Sequence, residues 1–184
     1  MNGIIAIEKK KKKPSLRRRN DIMEALQMQI IERQSIFLFN LITYKIKLDK
    51  KRFPDFIQHI NRNIGALGVE LTDRIIFRFD DHGDEADYEL FMPVDKVLQS
   101  RKEYGFEPVL KLLQAITVRH EGNFLDLKKT EQRLIEHINK KNYTIISEPY
   151  YSVVRLDPEN YSSDSIIDIY IGVKYNSNST TLMQ

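Results

Sequence analysis

The sequence lacks cysteine and contains only seven glycines in 184 residues. Without cysteine the chain forms no disulfide, offers no catalytic thiol and supplies no thiolate ligand to zinc. No Gly-x-Gly-x-x-Gly, Walker or Gly-x-Ser-x-Gly motif occurs, which argues against nucleotide-dependent and serine-hydrolase chemistry. The four histidines form neither an i, i+4 pair nor a His-Glu-x-x-His motif, so we expect no metal site and no cofactor.

Long hydrophobic runs are also missing. No apolar run approaches the roughly 20 residues that a bilayer-spanning helix needs, and the N-terminus lacks the apolar stretch of a secretory signal. Hydrophobic residues still make up 41% of the chain and aromatic residues 10%, which is ample for a packed core. The length suits one ordinary domain or two small ones, and we expect a soluble protein of the cytoplasm.

Positive charge is concentrated at the N-terminus. Residues 1–27 hold eight basic and three acidic side chains, so they carry a charge of +5, whereas the rest of the chain carries −2. Clustered cations such as KKKKKPSLRRR attract phosphate, but a solvated leader explains them more simply, and we expect no nucleic-acid partner. We interpret residues 1–27 as a basic disordered leader, or as the result of a start codon assigned too far upstream, and residues 177–184 as a disordered tail.

The first part of the remaining sequence predicts a strand, a helix and two further strands. Residues 34–49 alternate apolar and polar side chains in their second half, as a half-buried strand does. Pro54 suits the first turn of a helix, and the helix ends in GALG, where either Gly65 or Gly68 can take the positive φ of a C-terminal cap. Two more strands flank the turn-forming segment DHGDEA, at residues 73–80 and 87–94.

The second part repeats this order. Residues 109–122 predict a long strand, and Asn123 is a plausible cap for a helix over residues 124–141. Strands follow at residues 149–157 and 165–173. The helix buries one apolar stripe, formed by Leu127, Leu134, Ile135 and Ile138.

Three short motifs recur in the same order in both parts. They are LITY at 41–44 with AITV at 115–118, IQHINRN at 57–63 with IEHINKK at 135–141, and ELFMPV at 89–94 with DIYIGV at 168–173. Chance similarity of two amphipathic helices explains the heptapeptide alone, but the ordered agreement favours a tandem duplication. We therefore predict an α+β fold of two βαββ units, repeat 1 (34–94) and repeat 2 (109–173), with antiparallel sheets and one long helix per repeat.

This pattern resembles the GyrI-like family, the effector-binding domain found alone and behind the DNA-binding helices of AraC- and MerR-type regulators. The resemblance is carried by GNF at 122–124, by INKKNYTIISEPYYSVVRLDP at 138–158 and by the closing SIIDIYIGV. It implies a GyrI-like domain over residues 28–176, in which the two repeats pair around a pseudo-twofold axis and leave a cleft between them. Asn123 stands where the family often has proline, and only the basic leader precedes the domain, so we do not expect a regulator that binds its own operator.

In the family a carboxylate on the last strand commonly faces the ligand. Carried over by position, it is Asp168, one methylene shorter than the usual glutamate, with Glu89 as its mate in repeat 1. Strand alternation places Asp168 and Tyr170 on one face, and Tyr151 and Tyr88 are further candidates for the wall of a site that takes a hydrophobic cation. A simpler interpretation makes the carboxylates solvent-facing and the tyrosines packing residues.

Three functions stay open at this point. The chain also looks like a Gram-positive family encoded beside type VII secretion genes, which favours a non-enzymatic accessory or chaperone-like module that binds a protein partner. The second function is a stand-alone GyrI-like sensor of small hydrophobic cations, bound in the cleft between the repeats. The third is a weak hydrolase that pairs Asp168 with Tyr170 or Tyr151. We expect a binding module and not an enzyme.

Overall fold

The computed structural model describes residues 29–156 and 165–176. The predicted leader, residues 1–27, and the predicted tail, residues 177–184, lie outside the described residues. The helices and strands follow in the order β1 (Ile30–Asp49), α1 (Phe53–Asn63), β2 (Ile76–His82), β3 (Glu85–Pro93), β4 (Gly105–Gly122), α2 (Leu127–Lys140), β5 (Thr144–Ile145), β6 (Tyr150–Arg155) and β7 (Ser165–Lys174). In the described part of the chain, no helix is both long and apolar enough to cross a membrane.

The seven strands of the described residues join one antiparallel sheet, in the order β4-β1-β3-β2-β6-β7-β5. Because β4 also pairs with β7, the pairings of six strands form a closed circuit, to which β5 is added at the side of β7. Two of these pairings, β1 with β4 and β2 with β6, connect the first half of the chain to the second. The fold is α+β, as predicted.

Apart from the short strand β5, the two halves share their order of helices and strands, and they also share one strand register. Leu41 lies opposite Pro93 in the first half, and Ala115 lies opposite Gly172 in the second. Ala115 has the place in AITV that Leu41 has in LITY, and Gly172 has the place in DIYIGV that Pro93 has in ELFMPV. A common origin of the halves stays a prediction, whereas the equivalence of these two registers is observed.

The helices correct the alignment of the repeated heptapeptide. Aligning LITY with AITV also aligns Phe53 with Leu127, the first residues of α1 and α2, and a single 3-10 turn precedes each helix. In that alignment IQHINRN falls opposite residues 131–137, about one helical turn before IEHINKK at 135–141. The two heptapeptides recur in order and lie in equivalent helices, but they do not occupy equivalent positions, because amphipathic helices give similar short sequences at more than one phase.

The helix termini follow the local signals in the sequence. Pro54 lies in the first turn of α1. Gly68, not Gly65, takes the left-handed conformation after the 3-10 turn that follows α1, with φ of 74°. Asn123 caps the 3-10 turn before α2, where its side chain accepts a hydrogen bond of 2.9 Å from the backbone N–H of Leu125.

Both helices pack against the same face of the sheet, which we call the helix face. Phe53 and Ile57 of α1 and Leu134 and Ile138 of α2 belong to one buried cluster with side chains from all six paired strands. The opposite face, which we call the far face, carries a smaller apolar cluster. That cluster consists of Ile36, Leu41, Ile76, Phe91, Leu110, Leu112 and Ala115, with Tyr150 and Tyr170 packed against it.

Candidate functional site

An aromatic cluster joins the two halves on the helix face. Phe77 of β2 lies opposite Tyr151 of β6, and their rings stack with centroids 5.1 Å apart. At the start of α1, the ring of Phe53 stacks on Tyr88 at 4.0 Å and on Phe124 at 5.3 Å. The cluster therefore contains rings from both halves of the chain, and it includes one ring from each of the paired strands β2 and β6.

A cleft opens where β2 and β6 separate. The two strands pair only at Ile76–Ser152 and Phe77–Tyr151, although β2 continues to His82. The space between them is a cavity of about 340 Å³, and four of its ten lining residues are acidic while three are basic. The lining residues are Lys45, Arg78, Phe79, Asp80, Asp87, Glu89, Lys128, Glu148, Pro149 and Tyr151.

An ammonium group of the protein lies at the wall of this cleft. Lys128 Nζ is 4.5 Å from the ring centroid of Phe79 and 5.8 Å from that of Tyr151. It also lies 2.7 Å from Glu131 Oε2 and 3.2 Å from the Tyr151 hydroxyl oxygen. A phenyl ring, a phenol and a carboxylate therefore contact a single positive charge, which is the arrangement that stabilises organic cations in proteins.

The Tyr151 hydroxyl donates a hydrogen bond to Glu131 Oε2, the same oxygen that Lys128 contacts. Burial and the adjacent Glu131 charge raise the pKa of Tyr151 well above the usual range of a phenol, so the hydroxyl stays protonated as a donor. Glu131 itself is only 9% exposed, and a buried carboxylate needs such partners.

Sequence reasoning missed Lys128 and Glu131, although one signal was present. Glu131 lies one helical turn after Leu127 and one before Leu134, so it falls on the apolar stripe predicted for this helix. The alignment of the two helix starts places Glu131 opposite Ile57, which is fully buried in α1. A glutamate in the middle of an apolar stripe indicates a buried carboxylate with specific partners.

The structure places Asp168 on the far face, away from the cleft. Asp168 is 7% exposed, and Arg119 donates two hydrogen bonds to it, of 2.7 Å from Nε and 3.0 Å from Nη2. Arg74 Nη1 donates a third, of 3.2 Å. The hydrogen bond and charge of Asp168 raise the pKa of Arg119. Asp168 thus satisfies two guanidinium groups of its own chain and does not line the cavity at the β2–β6 gap.

Glu89 does line that cavity, at its far-face side. Arg78 Nε donates a 2.7 Å hydrogen bond to Glu89, and Lys45 Nζ lies 3.2 Å away. Partial burial alone would raise the pKa of Glu89, but the hydrogen bonds from Arg78 and Lys45 outweigh it and lower the pKa. Glu89 is therefore an ionised rim residue with two cationic partners.

The predicted tyrosines divide between the faces. Tyr170 lies on the same strand face as Asp168, as alternation predicted, and packs against the far-face cluster. Tyr88 and Tyr151 are buried in the helix-face cluster, and burial raises the pKa of Tyr88 well above the range of a free phenol. Because Tyr151 and Asp168 project from opposite faces of the sheet, the predicted hydrolytic pairing of these two residues was wrong.

Known structures share this fold. The crystal structure of the EcmrR C-terminal domain matches with a TM-score of 0.61 and 17% identity, covering 81% of this chain and 99% of that one. A cryo-EM structure of EcmrR with DNA matches with a TM-score of 0.60 and 17% identity, covering 88% of this chain and 65% of that one. A hydrolase from Listeria innocua matches with a TM-score of 0.49 and 7% identity, covering 77% of this chain and 91% of that one.

No protein-family model matches the chain, and no curated protein sequence matches it. The chain has the GyrI-like fold that the resemblance in its sequence implied.

Proposed function

We propose that this chain, with its GyrI-like fold, is a non-enzymatic binding module that takes a small organic cation in the cleft between its halves. The observation that carries the proposal is the Lys128 ammonium group, held 4.5 Å above the Phe79 ring and 2.7 Å from Glu131. A site that already holds one positive charge against rings and a carboxylate has the chemistry to hold the charge of a ligand in its place.

The shape and charge of the cleft support the same proposal. Its volume of about 340 Å³ is in the range of small-molecule sites. Beyond the rings, its acidic lining residues outnumber the basic ones, and Glu131 adds a further carboxylate beside the wall. A ligand with one positive charge and one aromatic group matches both the charged rim and the ring faces.

Binding of a defined probe tests the proposal. Benzyltrimethylammonium carries a permanent charge and one ring, and neopentylbenzene is its neutral isostere. We expect isothermal titration calorimetry to detect binding of the cation and no binding of the isostere. In Glu131→Gln the affinity for the cation should fall by about tenfold or more, because the variant loses the carboxylate charge.

Glu136→Gln is the matched control, since Glu136 lies on the exposed side of the same helix. It should leave the affinity unchanged. Equal affinity of the cation and its neutral isostere, or equal loss in both variants, would refute a cation site at Glu131.

The predicted protein partner in Gram-positive type VII secretion stays a prediction. Recovery of the chain without any partner after affinity purification from its native host would count against that role.

A further inference from the structure

We infer that Lys128 is a built-in competitor for the cation site, so that the free protein closes the site with its own side chain until a ligand displaces it. This inference rests on the proposed function and concerns the regulation of the same site. It predicts that removing the Lys128 charge strengthens ligand binding.

The geometry assigns this role to Lys128 because its ammonium group bridges both halves. The side chain starts from the first turn of α2, and its Nζ contacts Glu131 one turn further along, Tyr151 on β6 and Phe79 on β2. Each of these groups is one that an incoming cation would use. Ligand and Lys128 therefore cannot occupy the site together.

The side chain is held loosely enough to be displaced. Lys128 is 39% exposed, whereas its partner Glu131 has a side-chain exposure of 12%. The partly exposed ammonium group regains its hydration when it moves into water, so the cost of breaking this ion pair falls mainly on the buried carboxylate. The Glu131 carboxylate, by contrast, stays buried and needs a positive partner, which the ligand then supplies.

Competition by Lys128 also favours one class of ligand. A primary ammonium is a compact and strongly hydrated ion, which gains much of its stability from water when it leaves the site. A quaternary or delocalised cation is less well hydrated and gains more from the ring faces. The site therefore favours bulky, weakly hydrated organic cations over simple primary amines.

The test compares Lys128→Met with Lys129→Met in the full-length chain. Lys129 is the neighbouring residue, is 77% exposed and pairs with Asp126, so its variant makes the same change in net charge outside the site. We expect Lys128→Met to bind benzyltrimethylammonium about tenfold more tightly than the wild type, because the apparent affinity rises with the fraction of open sites. Lys129→Met should bind like the wild type.

Two further variants complete the experiment. Lys128→Arg keeps a positive charge at the position, and because a guanidinium group is less strongly hydrated than an ammonium group, this variant should bind the probe no more tightly than the wild type. Glu131→Gln combined with Lys128→Met should remove the gain. Circular dichroism confirms that each variant is folded before titration.

The outcomes separate the two proposals. If the wild type and Lys128→Met bind the cation equally, or if Lys128→Met binds it more weakly, the inference about Lys128 is wrong while the cation site stands. If neither protein binds it, the proposed function is wrong and the inference fails with it.

Discussion

At the scale of single residues, the helix face buries charged and polar groups that are matched to each other. Glu131, Tyr151 and Lys128 form one such set, and His120 with its partners forms another close to the start of α2. Since an unpaired buried polar group is costly, each set constrains how the nearby helix lies on the sheet.

His120 makes the stability of the protein depend on pH. His120 is 5% exposed, its Nε2–H donates to the Asn123 carbonyl at 3.0 Å and its Nδ1 lies 2.8 Å from Thr130 Oγ1. Burial lowers the pKa of His120 below its ordinary value of 6.5, although the Asn123 carbonyl and Asp126 oppose the shift.

The unfolded chain consequently takes up a proton at His120 more readily than the folded one. The contribution of His120 to stability is therefore complete above pH 6.5 and is lost as the pH falls below that value. We expect the free energy of unfolding, measured with urea, to fall less between pH 7.5 and pH 5.5 in His120→Gln than in the wild type. His59→Gln, at an exposed helix position, is the control and should keep the wild-type loss.

At the scale of elements, the end of the first helical segment depends on one glycine. Gly65 and Gly68 both lie in GALG, and a Cβ added at either would meet no atom within 4 Å. Of these two glycines, Gly68 alone has a positive φ, of 74°. Backbone conformation alone therefore separates the two positions.

We expect Gly68→Ala to destabilise the protein by about 1 kcal/mol, because the left-handed conformation is unfavourable for a residue with a Cβ. Gly65→Ala should leave the stability unchanged or raise it slightly, since it restricts the unfolded chain without strain in the folded one. Thermal or urea unfolding of both variants measures this difference. Equal losses of stability in Gly68→Ala and Gly65→Ala would contradict a role of the positive φ at Gly68.

Element positions were largely predictable because alternation and helical spacing are local properties. β1, β4 and both helices lie where the apolar patterns placed them, with ends that differ by a few residues. The short strand β5, Thr144–Ile145, was not predicted, since so short a segment carries no pattern of its own. The repeated heptapeptide did not mark equivalent positions for a related reason, since its similarity reflects the amphipathic pattern of both helices.

At the scale of the whole molecule, the position of the cleft depends on long-range pairing. The gap forms because β2 and β6 meet at only two pairs, beside the Phe77–Tyr151 stack. Nothing local in either strand specifies that separation. Similarly, Asp168 was a reasonable candidate by position, but its partners Arg74 and Arg119 come from other parts of the chain, and the sequence alone did not bring them together.

The carboxylate that we propose for ligand binding lies on the opposite face of the sheet from the one that the family resemblance implied. The family resemblance implied a ligand carboxylate at Asp168, which lies on the far face of the structure, whereas we propose Glu131 on the helix face. Both are mostly buried, but Asp168 is paired with two arginines, and Glu131 is paired with a lysine that lies over aromatic rings.

A crystal structure of the complex with benzyltrimethylammonium tests this choice most directly. We expect the quaternary nitrogen within about 6 Å of the Phe79 ring centroid, close to Glu131, with the Lys128 ammonium moved away from both. A ligand bound against Asp168 on the far face, with Lys128 still paired to Glu131, would contradict the account.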